Sequence, residues 1–440
     1  MPSPRSTDRQ IVAVAVPAFF ALVSEPLMLL ADTAIVGHLG RSSLGGLSAA
    51  SVVLSTVVGL CVFLAYGSTA TVARRRGAGD TAGAYSYAVS GIWLAGGLGV
   101  VLGGALAASA GPLAQALSSS SAVADRAERY LVVSSLAVPA LLVALAATGA
   151  LRGVMDLRTP VVVTVVANLL NVVLNLALVH GVADRPGWGI TGSAVGTVLA
   201  QWFGALWLTA VVVRGARRSG APLRVRAGAV LRAGLDGVPL FVRTLALRAG
   251  LVLGTAVAAG LGDAPLAAQQ VVTALVTFFA FALDAIAIAA QTLVGHALGA
   301  GDRTLARDLT RRMVGWGLGC GAVAAVVMAG LVPFAGSVFA PGDGAVADVL
   351  APALLVAALV QVPAGVVYVL DGILIGAGDA VYLAWAGLLA LVPYVPLALL
   401  VGHLGASFTW LWVAYGGYIA ARLVTLWLRQ RSDAWLVTGS

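Results

Sequence analysis

The sequence predicts an all-α polytopic membrane protein, with about twelve transmembrane helices in two six-helix lobes related by a pseudo-twofold axis along the membrane normal. Three observations carry this. Of 440 residues, 60% are apolar and 10% charged, and the mean hydropathy is +0.99; a soluble domain has about 45–50% and about 25%. The chain breaks at polar and Gly/Pro positions into about twelve apolar stretches, each long enough for the roughly 20 residues that cross a bilayer. The second half also repeats short motifs of the first. A compact soluble enzyme is excluded, because it could not hide this much apolar surface.

The stretches lie near 11–37, 44–72, 84–109, 126–150, 159–181, 190–213, 229–260, 266–297, 310–335, 346–376, 380–402 and 407–428. They are too long and too uniformly apolar for barrel strands, which alternate over about 9–11 residues. Helices satisfy their own backbone groups in lipid. The first stretch contains Pro17 and Pro26, lacks a small-residue cleavage site and exceeds the roughly 7–15 residues of a signal-peptide core, so it reads as a mature helix.

Basic residues set the orientation. All 26 are Arg. Arg5 and Arg9 precede the first span, Arg74, Arg75 and Arg76 follow the second, and Arg152 and Arg158 separate the fourth from the fifth. Arg214, Arg217, Arg218, Arg224, Arg226 and Arg232 fill the central connection; Arg303, Arg307, Arg311 and Arg312 follow the eighth span, and Arg429 and Arg431 end the last. The alternate loops carry Arg41 and Arg185, with Arg126 and Arg129 at a span edge. By the positive-inside rule both termini face the cytoplasm, in a cytoplasmic (inner) membrane. The net charge of +8 is then mostly loop bias, and nucleic acid is not an expected partner.

The halves repeat. Val16-Pro17 matches Val238-Pro239, Gly77-Ala78-Gly79-Asp80 matches Gly299-Ala300-Gly301-Asp302, and Gly149, Gly153 and Asp156 match Gly372, Gly376 and Asp379. His180 matches His403. Four matches in order at a nearly constant offset argue for duplication. The expected division is an N-lobe at 1–213, a cytoplasmic linker at 214–228 and a C-lobe at 229–440. With six spans per half, both insert the same way up, a design suited to alternating access.

A charged side chain in hydrocarbon costs roughly 2.5–3.5 kcal/mol on insertion scales, so each needs a reason. Glu25 and Asp32 stand seven apart on one face of the first helix. Asn168, Asn171 and Asn175 form a stripe on the fifth, and Thr197 and Gln201 lie in the sixth. Two such stripes could meet in an internal pocket, where an acid gains or loses a proton as its surroundings change; a permanently bonded structural Asp is the competing reading. Arg243 and Arg248 in the seventh helix point to different faces, and one is expected to pair with Asp284 or Asp371. Pro17 is a candidate hinge four turns before Asp32. Phe63 and Tyr66, and less specifically Phe278, Phe279, Phe281, Tyr368, Trp385 and Tyr394, could stack on flat ligands.

Other motifs offer less. The Gly-Ala-Gly-Asp segments lack the Lys-Ser/Thr of a phosphate loop and read as helix stops. The two cysteines and four histidines form neither a disulfide framework nor a metal-spacing motif, so no metal and no cofactor are expected. No nucleophile–base arrangement suggests an enzyme.

Glu25-Pro26, followed by Leu30-Ala31-Asp32-Thr33-Ala34-Ile35-Val36-Gly37-His38-Leu39-Gly40, resembles the first-helix signature of the multidrug and toxic compound extrusion (MATE) family, in its DinF-like branch. Arg75 to Asp80, Gly295 to Asp302, Leu151-Arg152-Gly153 with Asp156, and Gly372 with Ile375 to Asp379 fit it too, so the resemblance covers nearly the whole chain. It implies a twelve-helix, two-lobed antiporter, expected as a monomer, exporting small organic compounds, cations among them, in exchange for H+ or Na+. Asp32 matches the family's first-helix Asp, Pro17 its kink proline, Asn171 an Asn of its N-lobe cation site and Thr197 a sixth-helix Thr. Asn175 stands where several relatives have Asp. Losing that carboxylate weakens a Na+ site, since hard cations favour several anionic or carbonyl oxygens, and tilts the expectation to H+. The polar stripes and the resemblance together place cation coupling at Asp32, Asn168, Asn171, Asn175 and Thr197. The remaining intramembrane polar residues Glu25, Gln201, Asp284, Asp371, Arg243 and Arg248, with Phe63 and Tyr66, are the candidate substrate contacts. A lipid-linked oligosaccharide flippase of the same superfamily and a non-transporting scaffold are the rival readings.

Overall fold

In the computed structural model, residues 4–118, 120–182, 185–224 and 227–439 are described, without the side chains of 4–6, 182 and 185. Arg226, assigned above to the central connection, lies outside the described residues. Among the described residues, twelve helices are long and apolar enough to cross a membrane. They are α1 (Thr7–Gly37), α2 (Arg41–Gly77), α3 (Thr81–Leu117), α4 (Ser121–Gly153), α5 (Arg158–His180), α6 (Ile190–Arg218), α7 (Ala227–Leu261), α8 (Asp263–Gly299), α9 (Arg303–Phe339), α10 (Gly344–Gly376), α11 (Ala380–His403) and α12 (Phe408–Arg431). Each expected apolar stretch falls on one of them. The helices are longer because charged end turns such as Arg74–Arg76 continue the helix beyond the apolar run; cations there also oppose the dipole of the C-terminus. The described residues add one small hairpin, Gly181–Val182 against Arg185–Pro186.

The duplicated motifs adopt the same local geometry. At the end of α2, Gly79 takes φ +81°, the Asp80 amide donates to the Arg75 carbonyl, and the Asp80 carboxylate accepts from the Gly83 amide at 2.8 Å. At the end of α8, Gly301 takes φ +80°, the Asp302 amide donates to the Ala297 carbonyl, and the carboxylate accepts from the Leu305 amide at 2.8 Å. Each segment closes one helix through a left-handed glycine and caps the next with an aspartate. It is a helix stop, as its composition suggests, not a phosphate cradle.

A third pair departs from symmetry. Asp156 and Asp379 receive the same backbone closure, but the left-handed residue before them is Met155 at φ +67° in one half and Gly378 at φ +77° in the other. A side chain in this conformation costs about 1–2 kcal/mol. Met155→Gly is therefore expected to stabilise the protein, by up to about 1 kcal/mol after the greater freedom of unfolded glycine is counted. An unchanged or lowered unfolding midpoint in detergent would count against this account.

Close packing repeats as well. Gly149 lies against the Ala65 backbone and Gly372 against that of Ala287; Gly153 lies against Thr69 and Gly376 against Gln291. Small residues let helix backbones approach in lipid, where no hydrophobic force joins them. A Cβ at Gly149 or Gly372 would meet a carbonyl of the neighbouring helix, so Gly149→Ala and Gly372→Ala should each cost about 1–3 kcal/mol, read as a lower thermal midpoint.

Compact packing divides the chain into two units, Phe20–Val238 and Met1–Phe19 with Pro239–Ser440. The boundaries of these units fall close to the matched prolines Pro17 and Pro239. Local contacts explain why. In the second unit, Asp8 near the start of α1 accepts from Arg312 Nε at 2.7 Å and from Trp316 Nε1 at 3.0 Å on α9. In the first, the opening turns of α7 pack Gly237 against Phe63 and Gly234 against Leu94.

Candidate functional site

Each unit buries a polar cluster of its own. In the unit spanning Phe20–Val238, α5 has two faces. Leu169 and Val173 are 62% exposed on one, as suits a lipid-facing side, while Asn171 and Asn175 are fully buried on the other. That polar face staples α5 to α1 at two levels. Asn168 Nδ2 donates to the Ser24 carbonyl at 2.9 Å, and Asn175 Nδ2 donates to Asp32 Oδ1 at 2.5 Å. Asn175 also donates to Asn171 Oδ1 at 3.4 Å, and Asn171 Nδ2 to Thr197 Oγ1 on α6 at 3.0 Å. The result is one connected line, Asp32–Asn175–Asn171–Thr197, across three helices.

The sequence reading missed three members of this cluster. The buried Tyr130 phenol on α4 sits beside Thr197, Ser134 and Ser193 and within electrostatic reach of Asp32. Tyr130 is close to the edge of its apolar stretch and reads there as an interfacial aromatic. The i, i+4 pairs Tyr130/Ser134 and Ser193/Thr197 were the available signal, two short polar stripes aimed at one another.

Asp32 is 2% exposed, and among the described residues its one side-chain partner is the neutral amide of Asn175; no cation acts on it. A carboxylate buried with so little compensation is costly, and a bound proton removes the charge. Asn175 Oδ1 is buried with no hydrogen-bond partner among the described atoms, which leaves an acceptor inside the same cluster.

The other assigned residues of this unit are more open. Glu25 is exposed; Gln201 is half-buried, with Nε2 3.9 Å from Met28 Sδ; Phe63 and Tyr66 are half-buried on α2. Pro17 lies in α1, which runs through it as one continuous helix, two residues before the division between units.

In the second unit the buried charges are treated differently. Asp371 on α10 is 4% exposed, and its Oδ2 accepts from Arg243 on α7 and, at 2.5 Å, from Arg422 on α12. Of the two acids expected to pair with the seventh helix, Asp371 bonds to Arg243. Arg248 is exposed, and Asp284 is half-buried. Arg422 was overlooked, although a lone Arg inside the apolar stretch 407–428 carries the same signal that singled out Arg243. Beside the triad Tyr394, Tyr415 and Tyr418 pack with centroids 5.4–6.2 Å apart, and Trp412 joins Tyr415 at 5.3 Å. Phe278 stacks edge-on with Phe279, Trp385 is exposed, and Phe281 and Tyr368 are half-buried.

Twelve membrane-length helices in two repeated units, with charged and amide groups buried at depth, define a secondary transporter. The MatE family profile matches residues 17–177 and 239–400, two segments that begin on the two equivalent prolines. The chain belongs to this family, the multidrug and toxic compound extrusion efflux transporters, whose members are transporters and not enzymes. It is 30% identical to Protein DETOXIFICATION 44, chloroplastic, of Arabidopsis thaliana, over 98% of this chain and 84% of that one. It is 29% identical to DNA damage-inducible protein F of Escherichia coli K12, over 98% and 94%. A crystal structure described as MATE in the bent conformation superposes with a TM-score of 0.87 at 20% identity, covering 98% of this chain and 96% of that one, and so shares its fold.

Proposed function

We propose that this chain is a proton-coupled antiporter of the cytoplasmic membrane, with both termini inside, that exports small organic compounds by alternating access. Asp32 carries the coupling proton. The outward-open form takes a proton on Asp32 and releases substrate; α1 then rearranges about Pro17, and the inward-open form returns the proton and reloads.

The observation that supports this most is the pairing of a buried Asp32 with an amide and no cation. When Asp32 is neutral, its link to α5 becomes an ordinary hydrogen bond; when charged, it becomes a charge-assisted one of roughly twice the strength. The grip of α5 on α1 therefore depends on one proton. Coupling to H+ rather than Na+ is supported by the same bond. Asn175 turns its Nδ2, not its oxygen, to Asp32, so a donor occupies the position a metal ion would need, and one carboxylate is a poor set for a hard cation.

The test is efflux of a dye and drug panel from proteoliposomes, driven in turn by an imposed pH gradient and an imposed Na+ gradient. Transport under the pH gradient alone is the expected result. Transport under Na+ alone would overturn the coupling assignment, and absence of transport under either would overturn the antiporter.

A further inference from the structure

The Arg243–Asp371–Arg422 cluster holds more donors than its acid uses. Arg422 is 6% exposed, and among the described residues its one hydrogen bond goes to Asp371 Oδ2. A guanidinium has five N–H donors, so most of those on Arg422 meet no protein acceptor. Four residues earlier on the same face of α12, Tyr418 is 2% exposed and its hydroxyl has no hydrogen-bond partner among the described atoms. Tyr418 lies within electrostatic reach of all three charged groups. The charges acting on Arg422 are one carboxylate, Asp371, and a second cation, Arg243, so the positive side is in excess around it. Asp371 Oδ1 is an acceptor without a partner, but neither Arg422 nor the Tyr418 hydroxyl hydrogen-bonds to it, so their donors stay open.

We propose that Arg422 and Tyr418 form the donor side of a binding site for an anionic group, a carboxylate or a halide, in the unit formed by Pro239–Ser440. A planar guanidinium matches a carboxylate with two parallel hydrogen bonds, and the phenol adds a third donor. Asp371 anchors Arg422 from one edge and leaves the others for the ligand. Tyr394 and Tyr415 pack on Tyr418 with centroids 5.4 and 5.8 Å from its ring, so the phenol donor is set in an aromatic environment where an anion keeps few other partners. For transport, this rests on the antiporter reading and narrows its substrates to compounds that bear a negative group; for binding, it stands without that reading.

The test uses the full chain in lipid nanodiscs without any gradient. Radiolabelled benzoate is titrated in a chloride-free gluconate buffer, and chloride is titrated separately by calorimetry. Saturable binding of benzoate that chloride displaces only weakly identifies a carboxylate site; saturable chloride binding alone identifies a halide site. In either case Arg422→Gln should weaken binding at least tenfold. Tyr418→Phe should weaken it about three- to tenfold with an unchanged unfolding midpoint, and it decides the matter if Arg422→Gln fails to fold. No saturable binding of either anion, or binding undiminished by Tyr418→Phe and by any folded Arg422→Gln, would overturn the site. Because no gradient is applied, a failure of proton coupling leaves this result standing, and a failure here leaves the role of Asp32 standing.

Discussion

Asp32→Asn is expected to leave expression and thermal stability near those of the parent while reducing pH-driven export at least tenfold, to the background of empty vesicles. The substituted amide is nearly the size of the acid, and rotation lets its carbonyl accept from Asn175 Nδ2 as Asp32 Oδ1 does. What vanishes is the ability to change charge. A ligand, here a proton, shifts a conformational equilibrium only by the difference in its affinity for the two states. With no protonation at position 32, the pH gradient has nothing to act on in this cluster. Substrate binding at equilibrium should survive, which separates lost coupling from a lost site. Parental rates of pH-driven efflux from Asp32→Asn vesicles would remove Asp32 from the mechanism.

The helices were legible in the sequence because apolar length is a direct physical requirement of the bilayer, and each expected span coincides with an observed one. Asp32 and the Asn171/Asn175 face were legible for the same reason in reverse, as polar groups at a depth where they are expensive. Their connection was not. Spacing places Asn171 and Asn175 on one side of α5, but nothing in spacing says which of the other helices that side meets. Tyr130 illustrates the limit, since an aromatic near a span end is usually an interfacial anchor, and only packing of α4 on α6 brings its phenol to Thr197. The repeat shows where the halves correspond, but the boundaries of the compact units have no sequence signature. The division at Phe19/Phe20 and Val238/Pro239 depends on Asp8 meeting Arg312 and Phe63 meeting Gly237, which are tertiary contacts with no local signature.

Removing the other buried aspartate should have the opposite signature, with stability lost first. Asp371→Leu leaves Arg243 and Arg422 buried without the carboxylate that both engage, and breaking a buried ion cluster from one side typically costs about 3–5 kcal/mol. The expected outcome is a sharply lower unfolding midpoint and poor recovery from the membrane. The cluster itself need not be worth that much, because taking three charges out of water offsets much of their attraction. The triple variant Asp371→Leu, Arg243→Met, Arg422→Met, which replaces every charge with an apolar side chain of comparable length, should therefore recover most of the lost stability. If the single variant melted like the parent, Asp371 would not be the counter-ion the geometry makes it. If the triple variant were as unstable as the single one, the cost would lie in packing rather than in uncompensated charge. The contrast with Asp32 is one of environment alone: two acids of the same type lie inside one chain, one set against a neutral amide, the other held between two guanidiniums.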